Sequence, residues 1–155
     1  MKVTIDASIV ALRSLSELVH RELPFDGAMN VRALRRQVAA KVDDYEQVRQ
    51  KLLDLHAAKN EDGSRVTKMA AAMGPDGVPV TQETVVFANP EAEAAFYAAL
   101  GDLLKTTWEC DTVLTREDFC GKDPKMYKPR EIRGDLMDWL GDLYAGNAPA
   151  AVASK

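Results

Sequence analysis

A chain of 155 residues with 46% hydrophobic and 28% charged residues can bury a core without staples, which excludes a disordered tract or a fibre. A formal net charge of −4 excludes a global attraction to nucleic acid or to anionic membranes. No apolar run approaches the roughly 18 residues of a membrane-spanning helix, and no continuous apolar stretch marks a signal peptide, so a cytoplasmic protein of one domain is expected.

Lys2 to Ile5 reads as a short strand. Asp6 or Ser8 can cap a first helix that runs to about Leu23, with Leu12, Leu15, Val19 and Leu23 on one face. Pro24 stops it, and Phe25-Asp26-Gly27 completes a turn. From the cap Asn30, apolar residues recur at Val31, Leu34, Val38, Tyr45, Val48, Leu52 and Leu55, with Lys41 the one polar slot and Val42 beside it. Neither Gly nor Pro interrupts this stretch to Ala58, so it predicts a helix of about eight turns, roughly 40 Å long. So narrow and long a stripe requires a neighbouring helix, and the first helix can fold back as an antiparallel hairpin. It is shorter, which leaves the far end of the long helix in need of cover.

Asn60-Glu61-Asp62-Gly63 is a turn cluster. Arg65 to Met69 and Val78 to Phe87 read as strands joined across Gly74-Pro75-Asp76-Gly77. Asn89-Pro90-Glu91 starts a third helix that uses Phe96, Leu100, Leu103 and Leu104. Thr107 to Leu114 resembles a strand returning to the sheet, and Thr115 to Asp118 has the spacing of a capping box. Pro129 opens a last helix with Ile132, Leu136, Trp139, Leu140 and Leu143 on one face, expected to dock on the body. The fold class is therefore α+β: an antiparallel helical hairpin with one long amphipathic helix, a small antiparallel β-sheet or hairpin, and two further helices. The domain spans 1–146, and 147–155 read as a flexible tail.

Chemistry-bearing constellations are scarce. His20 and His56 lie near helix ends with no Cys–His or Gly-bounded nucleophile signature around them. Cys110 and Cys120 are too far apart for a zinc pair and, with no export signal, are expected as free thiols. Asp43, Asp44 and Glu46 read as a solvated helical face, and no phosphate-binding glycine motif is present. The chain is thus expected to be no enzyme and to need neither metal nor cofactor. Two surfaces are candidates for binding. Arg32, Arg35 and Arg36 form a basic face that could meet phosphates, but Asp43 and Asp44 follow, and no aromatic interleaves for base stacking. Met69, Met73, Pro75, Val78 and Val80 form an apolar set around a loop tip. They either cover the bare end of the long helix or offer an adaptable surface to a protein partner.

The order of segments also carries a likeness. Ala11-Leu12-Arg13-Ser14-Leu15-Ser16-Glu17-Leu18 leads to Leu23-Pro24, then to Tyr45-Glu46-Gln47-Val48-Arg49-Gln50-Lys51-Leu52-Leu53. Asn60-Glu61-Asp62-Gly63, a hairpin, and Phe96 through Gly101-Asp102-Leu103-Leu104 into Trp108-Glu109-Cys110 follow. Over residues of about 7–115 this resembles a family of small proteins of unknown function encoded by tailed bacteriophages and prophages. Residues from Cys120 to Lys128 and the tail have no counterpart in it. The resemblance implies a phage setting in the host cytoplasm or the virion, and no catalytic residue. The expected function is binding to a phage structural protein or a host protein, as a small virion or assembly component. The alternatives are an inhibitor of a host defence system or transcription enzyme, and a nucleic-acid-binding accessory protein.

Overall fold

The computed structural model describes residues 1–73, 77–120 and 140–144. Its elements in order are β1 (Lys2–Thr4), α1 (Ile5–Leu18), α2 (Phe25–His56), β2 (Thr67–Met73), β3 (Pro79–Val85), α3 (Pro90–Lys105), β4 (Thr107–Glu109), α4 (Arg116–Cys120) and a 3₁₀ turn, Gly141–Leu143. The fold is α+β with one long helix, as the residue pattern predicts. The chain divides into two compact units: Met1–Tyr45 with the described part of Leu104–Lys155, and Glu46–Leu103.

In the first unit, Thr4 caps α1, accepting a bond from the Ala7 amide at 3.2 Å. The caps expected at Asp6 and Ser8 are displaced: Asp6 sits in the first turn, and Ser8 donates its hydroxyl to the Thr4 carbonyl. The helix ends at Leu18, five residues before the expected Leu23. Beyond it the bonds tighten to three-residue spacing, His20 N–H to Glu17 O and Arg21 N–H to Leu18 O, which closes the turn early. Pro24, not Asn30, supplies the start of α2, since its carbonyl accepts from Ala28 N–H at 2.8 Å. Phe25-Asp26-Gly27 is consequently the first helical turn and not a loop.

Val31, Leu34 and Val38 of α2 are fully buried with Ala11, Leu15 and Leu18 of α1, which is the expected hairpin seam. Val3, Cys110, Leu114, Phe119, Leu140 and Leu143 complete this core. β1 pairs antiparallel with β4, Val3 opposite Trp108, and so forms a sheet of its own instead of joining the β2–β3 hairpin. Trp108 Nε1 donates to Ser8 Oγ at 2.9 Å, which satisfies a half-buried indole. Gln37 fastens the segment after β4, donating to Thr112 Oγ1 at 3.1 Å and accepting from Asp111 N–H at 3.4 Å. Half of the expected capping box forms: Asp118 Oδ2 accepts from Thr115 N–H at 2.7 Å and from Thr115 Oγ1 at 3.1 Å, while Asp118 N–H bonds the Thr115 carbonyl and not the hydroxyl. Of the face predicted for the last helix, Leu140 and Leu143 are buried in this core, and Leu114 N–H bonds Leu143 O at 2.9 Å. Ile132, Leu136 and Trp139 lie outside the described residues, as do Cys120's thiol and the tail.

The second unit takes the last turns of α2, the β2–β3 hairpin and most of α3. Here the predicted stripe drifts. Val48 is 40% exposed and Leu55 74%, while Leu53 and Ala57 are buried. A straight helix turns 3.6 residues per turn, so a strict heptad rotates out of contact by about 20° per repeat; burial passes through Val42 and Tyr45 to Leu53. Arg65 ties this end of α2 to the hairpin, its guanidinium meeting Asp54 Oδ1 at 2.7 Å and Gln50 Oε1 at 2.7 Å. The turn at 60–64 forms as expected, with Gly63 at a positive φ of 82° and Ser64 N–H on Asp62 Oδ1. β2 runs on through Ala70, Ala71 and Ala72, past the predicted end at Met69. Pairing with β3 overrides the helical preference of alanine. Phe87, Phe96 and Tyr97 form a ring cluster with centroids 5.2 to 5.9 Å apart.

Candidate functional site

The hairpin register decides what the apolar set does. Met69 lies opposite Glu83, Ala71 opposite Thr81, Ala72 opposite Val80 and Met73 opposite Pro79. Side chains alternate along a strand and opposed residues share a face. Met69, Ala71 and Met73 therefore stand together on one face, and Val80 projects from the other. Met69 is 67% and Met73 71% exposed, and Val78 and Val80 are exposed too. The alternative in which these residues cover the end of α2 is thereby corrected: they are in solvent. Val78 precedes β3, and Pro75 lies outside the described residues. The predicted set is thus split into a two-methionine face and separate valines. The sheet has only two strands, so β2 keeps one long edge without a strand beside it among the described residues. The Val80 side also carries Lys68 and Thr84, which line an open groove of about 390 Å³ with Phe87, Pro90, Glu93 and Tyr97.

The arginines occupy a different place, on the first unit. Arg32, Arg35 and Arg36 are exposed and, with Val19 and Met29, line a groove of about 370 Å³. Arg35 Nε donates to Ser16 Oγ at 3.2 Å, which holds that guanidinium against α1. Among the described residues none of the three pairs with a carboxylate. Phe25, 79% exposed, and Met29, 46% exposed, precede Arg32 and Arg36 at steps of four, three and four, on one face of α2. Phe25 and Met29 escape the sequence reading because it starts the helix at Asn30. Once the helix begins at Pro24, the same periodicity exposes them.

Lys41–Asp44 and Glu46–Arg49 are exposed ion pairs at 3.4 and 3.0 Å along α2, so the acids of that stretch form a solvated face. The Asp54 carboxyl is held down to about 2, first by its hydrogen bond from Arg65 and then by Lys59. His20 is exposed, and His56 closes α2, its carbonyl accepting from Ala88 N–H. Cys110 is a buried free thiol whose ionisation is pushed up by burial, the opposite of an activated nucleophile. Among the described residues no three His, Cys, Asp or Glu side chains gather as metal ligands. Nor is any helix among them long and apolar enough to cross a membrane. Compared with known proteins, the chain matches no family model, no curated protein and no solved structure.

Proposed function

We propose that this is a non-enzymatic protein that acts by binding another protein through the β2–β3 hairpin. The observation that carries the proposal is the pair of exposed methionines on one face of β2, beside the strand's open edge. A two-stranded hairpin is marginal in water by itself, and alanines at three successive positions lower its strand preference further. An extended segment of a partner, added to the β2 edge, supplies the missing main-chain bonds while the thioether side chains adapt to its surface. With the likeness of residues about 7–115 to phage-encoded proteins, the partner is a phage structural protein and the role that of a small virion or assembly component.

Met69→Asp with Met73→Asp tests this. Both sites are exposed, so helix content and melting temperature should hold, while the partner captured from infected cells by the wild type should be lost. Retention of that partner by the double variant would refute the hairpin as the docking element. Mass spectrometry of purified particles tests the role: a fixed copy number per particle supports a virion component. Absence from particles, with a host protein retained, assigns the chain instead to host inhibition.

A further inference from the structure

We infer that the groove between the end of α1 and the first turns of α2 is a second docking site, specific for an acidic peptide segment carrying an apolar anchor. The site is on the first unit and does not depend on the hairpin. Its rim is cationic: Arg32, Arg35 and Arg36 crowd into five consecutive residues, on a chain whose net charge is −4. The local sign is therefore opposite to the net charge of the molecule, which favours an anion at this face. These guanidiniums have no carboxylate partner among the described residues, and Ser16 fixes Arg35 in place. The groove's other lining is aliphatic and thioether, Val19 and Met29, and Phe25 extends the apolar strip one turn further. A ligand that satisfies both parts brings carboxylates for planar, two-pronged hydrogen bonding and an apolar side chain for the floor.

Two other anionic surfaces fit less well. Single-stranded nucleic acid needs a row of rings for successive bases, and among the described residues no ring lines the groove, Phe25 lying one turn beyond it. A flat anionic membrane would also meet the exposed carboxylates of Glu22 and Asp26 in the adjoining turn, whereas a peptide can lie clear of them.

Fluorescence anisotropy of the full chain with three labelled probes tests the inference. They are a synthetic helical peptide of leucine and glutamate, the same peptide with lysine for glutamate, and a thymidine oligonucleotide. The glutamate peptide should bind, weaken with added salt, and lose roughly tenfold or more in affinity with Arg32→Glu and Arg36→Glu. Met29→Ser should weaken it without changing the salt dependence, and Arg32→Lys with Arg36→Lys should restore part of the binding. Circular dichroism checks that each variant stays folded. No binding of the glutamate peptide, or binding that the charge reversal leaves untouched, overturns the inference. So does tighter arginine-dependent binding of the oligonucleotide or, in a separate co-sedimentation assay, of vesicles containing phosphatidylserine.

Discussion

At the residue scale, Gly27 shows what a linear pattern conceals. It lies in the first turn of α2, where an added Cβ would overlap the main chain of Asp118, its carbonyl oxygen above all. Asn30, one turn on, donates to Asp118 Oδ1 at 2.7 Å, so α4 is drawn against α2 at a distance that only glycine permits. Nothing local marks Gly27 as anything but a turn residue, since the constraint comes from a segment about ninety positions away. Gly27→Ala should lower stability by about 1–2 kcal/mol despite its better helix propensity, because main-chain atoms cannot rotate away. A thermal melt that rises would show that α4 does not approach so closely. Asp54 offers a test by pH. Its folded ionisation at about 2 lies below the ordinary 3.8, so the folded state favours the carboxylate, and its contribution is present above about 4. As pH falls through 2 that contribution disappears. The melting-temperature difference between wild type and Asp54→Asn should be small, constant from neutral pH to about 4, shrinking from there through 2 and gone only below it. A difference that persists below that pH would remove Arg65 and Lys59 as its source.

At the element scale, the long helix separates what spacing reveals from what it cannot. Val31, Leu34 and Val38 were legible because over two turns a heptad and a helix hardly diverge. Farther along, the accumulated rotation and the arrival of the hairpin select Leu53 and Ala57, leaving Leu55 in solvent. The two ends of α2 should therefore respond differently to substitution. Val38→Asp, an unpaired carboxylate at a site with no exposure, should unfold the first unit or nearly so. Leu53→Ala should cost about 2–4 kcal/mol, and Leu55→Ser less than about 0.5 kcal/mol. Urea titrations of the three variants check the order; a costly Leu55→Ser would restore the strict heptad. The candidate surfaces were legible only as residue types. That three arginines and the two methionines stand in solvent follows from helix phase and strand register, and the opposite placement of Val80 from the pairing Ala72–Val80.

At the scale of the whole molecule, the two units differ in what holds them. The first buries twelve residues in one continuous cluster, whereas the buried hydrophobic residues of the second are Leu53, Ala57 and Phe96, counting described residues only. The second should therefore open first. Its segment contains neither of the two tryptophans, Trp108 and Trp139, so in a Trp139→Phe variant indole fluorescence follows Trp108 of the first unit and far-ultraviolet circular dichroism follows both units. On titration with urea, ellipticity should begin to fall before the fluorescence changes; superimposable curves would mean a single cooperative transition. Division into two such units is not legible in apolar periodicity, which runs through Tyr45 into the next turn of α2 without a break.

The pairing of β1 with β4 sets a schedule for the chain as it is made. Lys2 meets Glu109, so the first strand leaves the ribosome with its partner still unsynthesised. At roughly 5–20 residues per second that wait lasts about 5–20 s, long enough for α1 and α2 to meet and for the hairpin to close. During this interval Val3 is uncovered, and the edge of β1 is open to any strand in its surroundings. Closing this sheet is thus a return to residues made about a hundred positions earlier, with Trp108 arriving to stand opposite Val3 and bond Ser8. A nascent chain halted before Thr107 lacks Cys110, Leu114, Phe119, Leu140 and Leu143, five of the twelve residues in the first unit's core.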